Sequence, residues 1–181
     1  WEWASQIGSS WLGSILCFEI RPTQRKEREK TMGSGNVYFA QHEGLVVLKF
    51  EGEIRYTMGA SQGLVISLAE FLDKLLKRSD FDDVLLDLSE TTSIDSTNLG
   101  LIASVSQFTQ KNLNKKPTII ATNEEILELL ESIGFAEVFN IVGDSEKPDV
   151  ELSEVEEVHD KGMGLSQVLL DSHRVLMDLN E

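Results

Sequence analysis

The sequence predicts an α/β domain in which a mixed, mostly parallel sheet is packed by helices and followed by a C-terminal helical extension. Three observations predict it. Apolar residues between 36 and 142 switch back and forth between strand-like and helix-like periods. Val84–Leu88 is a short, nearly continuous apolar run, as expected of a central parallel strand covered on both faces. The segments follow the order β-β-α-β-α-β-α-β, whose β-α repetition implies a layered sheet with right-handed crossovers.

The elements follow in order. Val37–Gln41 and Leu45–Glu51 are β-prone runs separated by His42-Glu43-Gly44, which predicts a hairpin. Gly59–Arg78 sets Leu64, Leu68, Phe71, Leu72, Leu75 and Leu76 on one helical face, with Lys74, Lys77 and Arg78 at the end where a helix dipole favours cations. Asp82-Asp83 leads into the Val84–Leu88 strand, and Ser89–Ile94 reads as a polar loop. A second helix runs over about Thr97–Asn112 with Leu99, Ile102, Val105 and Phe108 inward. Pro117–Ala121 is the next buried strand. Thr122-Asn123-Glu124-Glu125 caps a third helix carrying Ile126, Leu127, Leu130 and Ile133, which Gly134 stops, and Val138–Val142 is the last strand.

The flanks have a different character. Residues 1–35 hold all three tryptophans, Trp1, Trp3 and Trp11, and a basic tract, Arg21 to Lys30. Met32-Gly33-Ser34-Gly35 resembles a natural start, so 1–31 is expected to be non-native or upstream-derived. A signal peptide fits poorly, because the positive charges follow the apolar stretch. The expected organisation is therefore a leader over 1–35, the α/β domain over 36–142, and a tail over 143–181. In that tail, 144–160 carries eight acidic residues and one lysine and reads as a solvated linker or weak helix. Leu165, Val168, Leu169, Val175, Leu176 and Leu179 then form one stripe on a C-terminal helix. That stripe needs a cover, either the chain's own domain or a second copy in a homodimer.

Composition excludes several functions. The 16 Lys+Arg against 31 Asp+Glu leave a formal charge of −15, which opposes nucleic-acid phosphates and anionic membranes alike. The single cysteine, Cys17, cannot close an internal disulfide or build a zinc finger, and it fits a reducing, cytoplasmic setting. No Walker A loop, G-x-G-x-x-G or G-x-S-x-G elbow is present. His42, His159 and His173 fall in a strand turn, the acidic tail and the C-terminal helix, so no catalytic triad is suggested. No catalytic residue, metal or cofactor is expected.

The most informative segment is Asp87-Leu88-Ser89 followed by Ile94-Asp95-Ser96-Thr97-Asn98-Leu99-Gly100. It reads as a strand end, a hydroxyl-rich loop and a helix start, where Asp95, Ser96 and Thr97 are each able to cap. The bland reading is an N-cap alone. The functional reading uses the same geometry, because free N–H groups and the helix dipole would tolerate a phosphate on Ser96.

This segment resembles the signature of STAS domains of the anti-sigma factor antagonist type, and the likeness extends over about 37–142. The resemblance implies a STAS-like fold and a phosphorylation-switched regulator that is not an enzyme. It implies that the serine after the aspartate, here Ser96, is the phosphorylation site, modified by a serine kinase that is also the anti-sigma factor and restored by a phosphatase. Asp95, Ser96, Thr97, Asn98, Arg55 and Tyr56 would then form the partner-binding surface, together with the Gly52–Gly59 loop and the second helix. Two departures stand out. Asn98 replaces the usual glycine, and asparagine tolerates unusual backbone angles. Gly52-Glu53-Ile54 matches a G-E-[LI]-D pattern, but Arg55 replaces its aspartate, which bears on the kinase contacts and points to a divergent branch. The alternative function is a structural STAS subunit of a stressosome-like or transporter-associated assembly.

Overall fold

A hairpin opens the domain and sets its first two strands antiparallel. β1 (Asn36–His42) and β2 (Leu45–Ile54) pair from Asn36↔Glu51 to His42↔Leu45. Glu43 and Gly44 alone make the turn, with φ of 48° and 84°. Two consecutive positive φ values match the right-handed twist of the flanking strands. The computed structural model describes residues 35–56, 62–143, 148–155 and 164–179. These belong to a single unit, 31–181. The expected leader before Gly35 and its start at Met32 lie outside the described residues.

From β2 the chain runs through α1 (Gln62–Leu75), β3 (Asp83–Ile94), α2 (Ser96–Leu113), β4 (Thr118–Ile120), α3 (Glu124–Ser132), α4 (Phe135–Val138) and β5 (Asn140–Val142). It ends in β6 (Ser153–Glu154) and α5 (Leu165–Asp178). The sheet order is β5-β4-β3-β2-β1-β6, parallel from β5 to β2 and antiparallel at β1 and β6. The mixed, mostly parallel sheet of the sequence reading is thus observed.

One face of the sheet carries the described helices. Val46, Leu48 and Phe50 of β2, Val84, Leu86 and Leu88 of β3 and Ile119 of β4 meet Val65, Leu68 and Leu72 of α1, Ile102 and Val105 of α2, and Leu130 of α3. These side chains alternate along their strands, as the pleat requires. The other face has its own smaller core of Ala40, Val47, Leu85 and Ile120. No helix covers it. Val150 and Leu152, from the segment expected to be a solvated linker, lie on it instead. That segment then adds β6 to the outer edge of β1 through Tyr38↔Glu154 and Phe39↔Ser153. Part of the acidic tail is therefore a strap across the rear face, because two apolar residues in it find an uncovered apolar surface. The linker reading was wrong for 148–155.

A second correction concerns β3. Ser89–Ile94, read as a polar loop, continues the strand to Ile94. β2 runs on beside it, and the ladder continues through Glu51↔Glu90, Gly52↔Thr91, Glu53↔Ser93 and Ile54↔Ile94, with irregularities on either side of Gly52. Thr91 is buried and its hydroxyl donates to Phe50 O at 3.1 Å. A waiting partner strand outweighed the polar composition, and Thr and Ser fit a pleated surface well.

The C-terminal stripe is covered within the chain. α5 lies against α2, with further contact to α1. Val168 is buried and Val175, Leu176 and Leu179 join the main core. The approach is close: a Cβ built on Gly100 of α2 would overlap the backbone carbonyl of Ser172 on α5. Glycine is the residue that lets the two backbones meet.

Two outcomes follow from this packing. Gly100→Val should force the helices apart and cost about 1–3 kcal/mol, as overpacking does, read as a lower melting temperature with faster amide exchange in α5. Wild-type stability with protected α5 amides would contradict the close approach. Chains ending after Val155 should lose stability by losing α5, and chains ending after Val142 should lose more, because the strap goes as well. Equal melting temperatures for the two truncations would mean that Val150, Leu152 and β6 contribute nothing.

Candidate functional site

The site lies where the parallel strands β2 and β3 end and α2 begins. Asp95 is the link. It is the N-cap of α2, with extended backbone at φ −98° and ψ 168°. One carboxylate oxygen accepts from the backbone N–H of Asn98 at 2.9 Å and from Asn98 Nδ2 at 2.9 Å. The other accepts from the backbone N–H of Tyr56, just beyond β2. The Asp95 N–H itself donates to Ile54 O at 3.2 Å. One residue thus ties the strand end to the helix start from both its backbone and its side chain.

Asn98 completes the tie. It is fully buried, and its Nδ2 also donates to Ile54 O at 3.2 Å. Its backbone is helical, and among the described residues only Glu43 and Asn114 are non-glycine residues with positive φ. The expectation that asparagine stands here for its tolerance of unusual backbone angles is corrected. Asn98 serves through its amide, which a glycine would lack. Thr97 is buried as well. Thr97 and Asn98, expected to touch a partner, lie beneath the surface and hold its shape.

The exposed part of the site is Ser96 and Arg55, with Asp95 and Tyr56 half-buried. The structure brings all six expected residues to one end of the sheet, while Thr57, Met58 and Gly59 of the expected loop lie outside the described residues. Ser96 is the first residue of α2 and presents its hydroxyl to solvent, where the helix dipole favours negative charge.

One residue of the site was missed. His173 of α5 lies 77 positions along the chain, yet its Nε2 is 3.0 Å from Ser96 Oγ. The sequence places His173 on the C-terminal helix and gives it no part in the site, whereas the structure sets it beside Ser96. Its Nδ1 is 2.7 Å from Leu169 O, one helical turn back. A carbonyl oxygen only accepts, so Nδ1 carries the ring proton. In the neutral ring Nε2 is then bare, and the Ser96 hydroxyl donates to it. A catalytic triad would have a carboxylate where Leu169 O stands, to stabilise the imidazolium. Sequence offers no sign of this pairing, which depends on how α5 docks.

Away from the helix start, one charge cluster stands out. On β2, Lys49 Nζ sits 2.8 Å from Glu51 and 2.7 Å from Glu90. Burial works against its charge, but the hydrogen bonds to both carboxylates outweigh burial and raise its pKa well above the usual lysine value. Tyr38 is likewise raised, by burial first and then by Glu51. No group of three or more metal-ligating side chains occurs among the described residues. None of the described helices is long and apolar enough to cross a membrane.

A search of curated proteins finds no match to the chain. Among solved structures, an anti-sigma factor antagonist from Mycobacterium paratuberculosis aligns at 19% identity and TM-score 0.47, covering 60% of this chain and 85% of that one. The phosphorylated form of the Bacillus cell fate determinant SpoIIAA aligns at 10% identity and TM-score 0.49, covering 61% and 92%. The unphosphorylated form of the anti-sigma factor antagonist SpoIIAA gives 10% and 0.48, covering 61% and 90%. The STAS domain family model matches residues 36–147, which takes in every strand from β1 to β5 and the whole Asp95–Gly100 segment. The chain belongs to the STAS domain family.

Proposed function

We propose that this protein is a phosphorylation-switched binding module of the anti-sigma factor antagonist type, with Ser96 as the phosphoacceptor. The observation that carries the reading is the exposed Ser96 hydroxyl at the first position of α2, directly after a capping aspartate that fixes the backbone around it. The module is a binder and not an enzyme. Its partners are a serine kinase that doubles as an anti-sigma factor and a phosphatase that resets Ser96, all in the cytoplasm. Arg55, Tyr56, Asp95 and Ser96 form the contact surface, and Thr97 and Asn98 support it from below.

The mechanism is electrostatic. Phosphorylation adds about −1.5 to −2 charges and three acceptor oxygens at Ser96. In a close-packed interface that charge loses its water, and an uncompensated buried charge costs on the order of several kcal/mol. Each 1.4 kcal/mol is a factor of ten in affinity. A single phosphate is then enough to release a partner without refolding the domain, because Asp95 and Asn98 hold the helix start whatever Ser96 carries.

Two measurements test the reading. Phosphopeptide mapping of the protein isolated from its host should find phosphate on Ser96. Phosphate on Ser93 or Thr97 instead would move the acceptor and leave Ser96 without its role. Pull-downs with Ser96→Ala and Ser96→Asp baits, read by mass spectrometry, should recover a kinase-type partner with the alanine bait and lose about tenfold or more with the aspartate bait. Equal recovery by both, with native circular dichroism for both, would sink the switch.

A further inference from the structure

His173 is in direct contact with the residue proposed to carry phosphate, and it arrives on α5 from 77 positions along the chain. We propose that His173 is an internal phosphate-binding residue: when Ser96 is phosphorylated, its imidazole pairs with the phosphate and fastens α5 to the start of α2. The inference rests on the reading of Ser96 as phosphoacceptor and adds to it a reader within the same chain.

The geometry carries the argument. Nε2 already stands 3.0 Å from Oγ, so a phosphoryl group replacing the hydroxyl hydrogen puts acceptor oxygens beside it. Nδ1 is committed to Leu169 O at 2.7 Å, which fixes the ring plane and keeps Nε2 aimed at Ser96. In the unmodified protein Nε2 accepts from the serine. Beside a phosphate it takes up a proton and donates, because a nearby negative charge favours the imidazolium. Both nitrogens then have acceptors, and no side chain has to move far. Ser96 and His173 are both exposed, so the phosphate has room on the solvent side. The neighbouring Ser172 is buried and its backbone lies against Gly100, which sets where α5 presents His173.

The site therefore has two responses to one modification. A partner docking over Ser96 is repelled, while α5 is held more tightly. The neighbouring charges on α5, Asp171 and Arg174, are engaged with each other at 3.4 Å, and Asp95 is engaged with Asn98 and Tyr56. Arg55 is the other basic residue at this end of the sheet, but His173 is the one whose ring nitrogen is within hydrogen-bond distance of Ser96 Oγ.

The test uses the full chain with phosphoserine installed at position 96 by genetic encoding, so it does not depend on any kinase. Imidazole nitrogen NMR near neutral pH should show the Nδ1–H tautomer of His173 in the unmodified protein and both ring nitrogens protonated in the phosphoprotein. Amide exchange in α5 should slow about threefold on phosphorylation, the size expected of an exposed charge pair, and His173→Asn should abolish that slowing. A His173 ring that stays neutral in the phosphoprotein overturns the proposal, as does slowing that persists in His173→Asn. Absence of phosphate on Ser96 in cells would instead remove the parent reading and leave the pairing chemistry measured here intact.

Discussion

The carboxylate of Asp95 is the constraint on which the site depends. Two oxygens meet three N–H groups, two from Asn98 and one from Tyr56. A carboxylate so engaged keeps the end of β2 and the start of α2 at one fixed separation. Hydrogen bonds to a charged acceptor are stronger than neutral ones, and leaving one such donor buried without a partner carries a full desolvation cost. The hydroxyl of Ser96 is consequently displayed from a stiff base. A surface that is already ordered costs less to bind than one that must be ordered on binding.

That base is itself supported from below and from the side. Ile94 and Ile54 pair at the end of the β2–β3 ladder and are both buried, so the strand ends cannot splay. α5 leans on α2 from the other direction at Gly100. The leucine-glycine step that follows the capping segment is thus a packing device for a helix more than 60 residues away, whereas the aspartate-serine step before it is a device for the surface. One short stretch of chain serves both.

Much of this was legible in the sequence. The alternation of Val46, Leu48 and Phe50 and the apolar run at Val84–Leu88 each reported a face to be buried, and each is buried, while the stripe on α5 is buried at Val168 and half-buried along the rest. Asp95 was readable as a capping candidate because only a few residue types cap a helix well. What escaped depends on tertiary context. Ser89–Ile94 looks like loop until β2 is set beside it. Val150 and Leu152 are two apolar residues in an acidic stretch, too few to make a period, and their meaning comes from a bare sheet face. His173 is invisible for the same reason: nothing in its neighbours on α5 says which helix start it will reach.

The strap has a consequence for how this protein can associate. At one edge of the sheet β5 is only three residues long, and at the other the two-residue β6, with its Glu154, covers β1 over Tyr38 and Phe39. Long, flat, unpaired edges invite strands from other chains, while short and charged ones discourage them. The hairpin strand β1, seven residues long, would otherwise be such an invitation. By laying its own acidic tail there, the chain shortens the stretch of β1 that is open to backbone pairing with another strand.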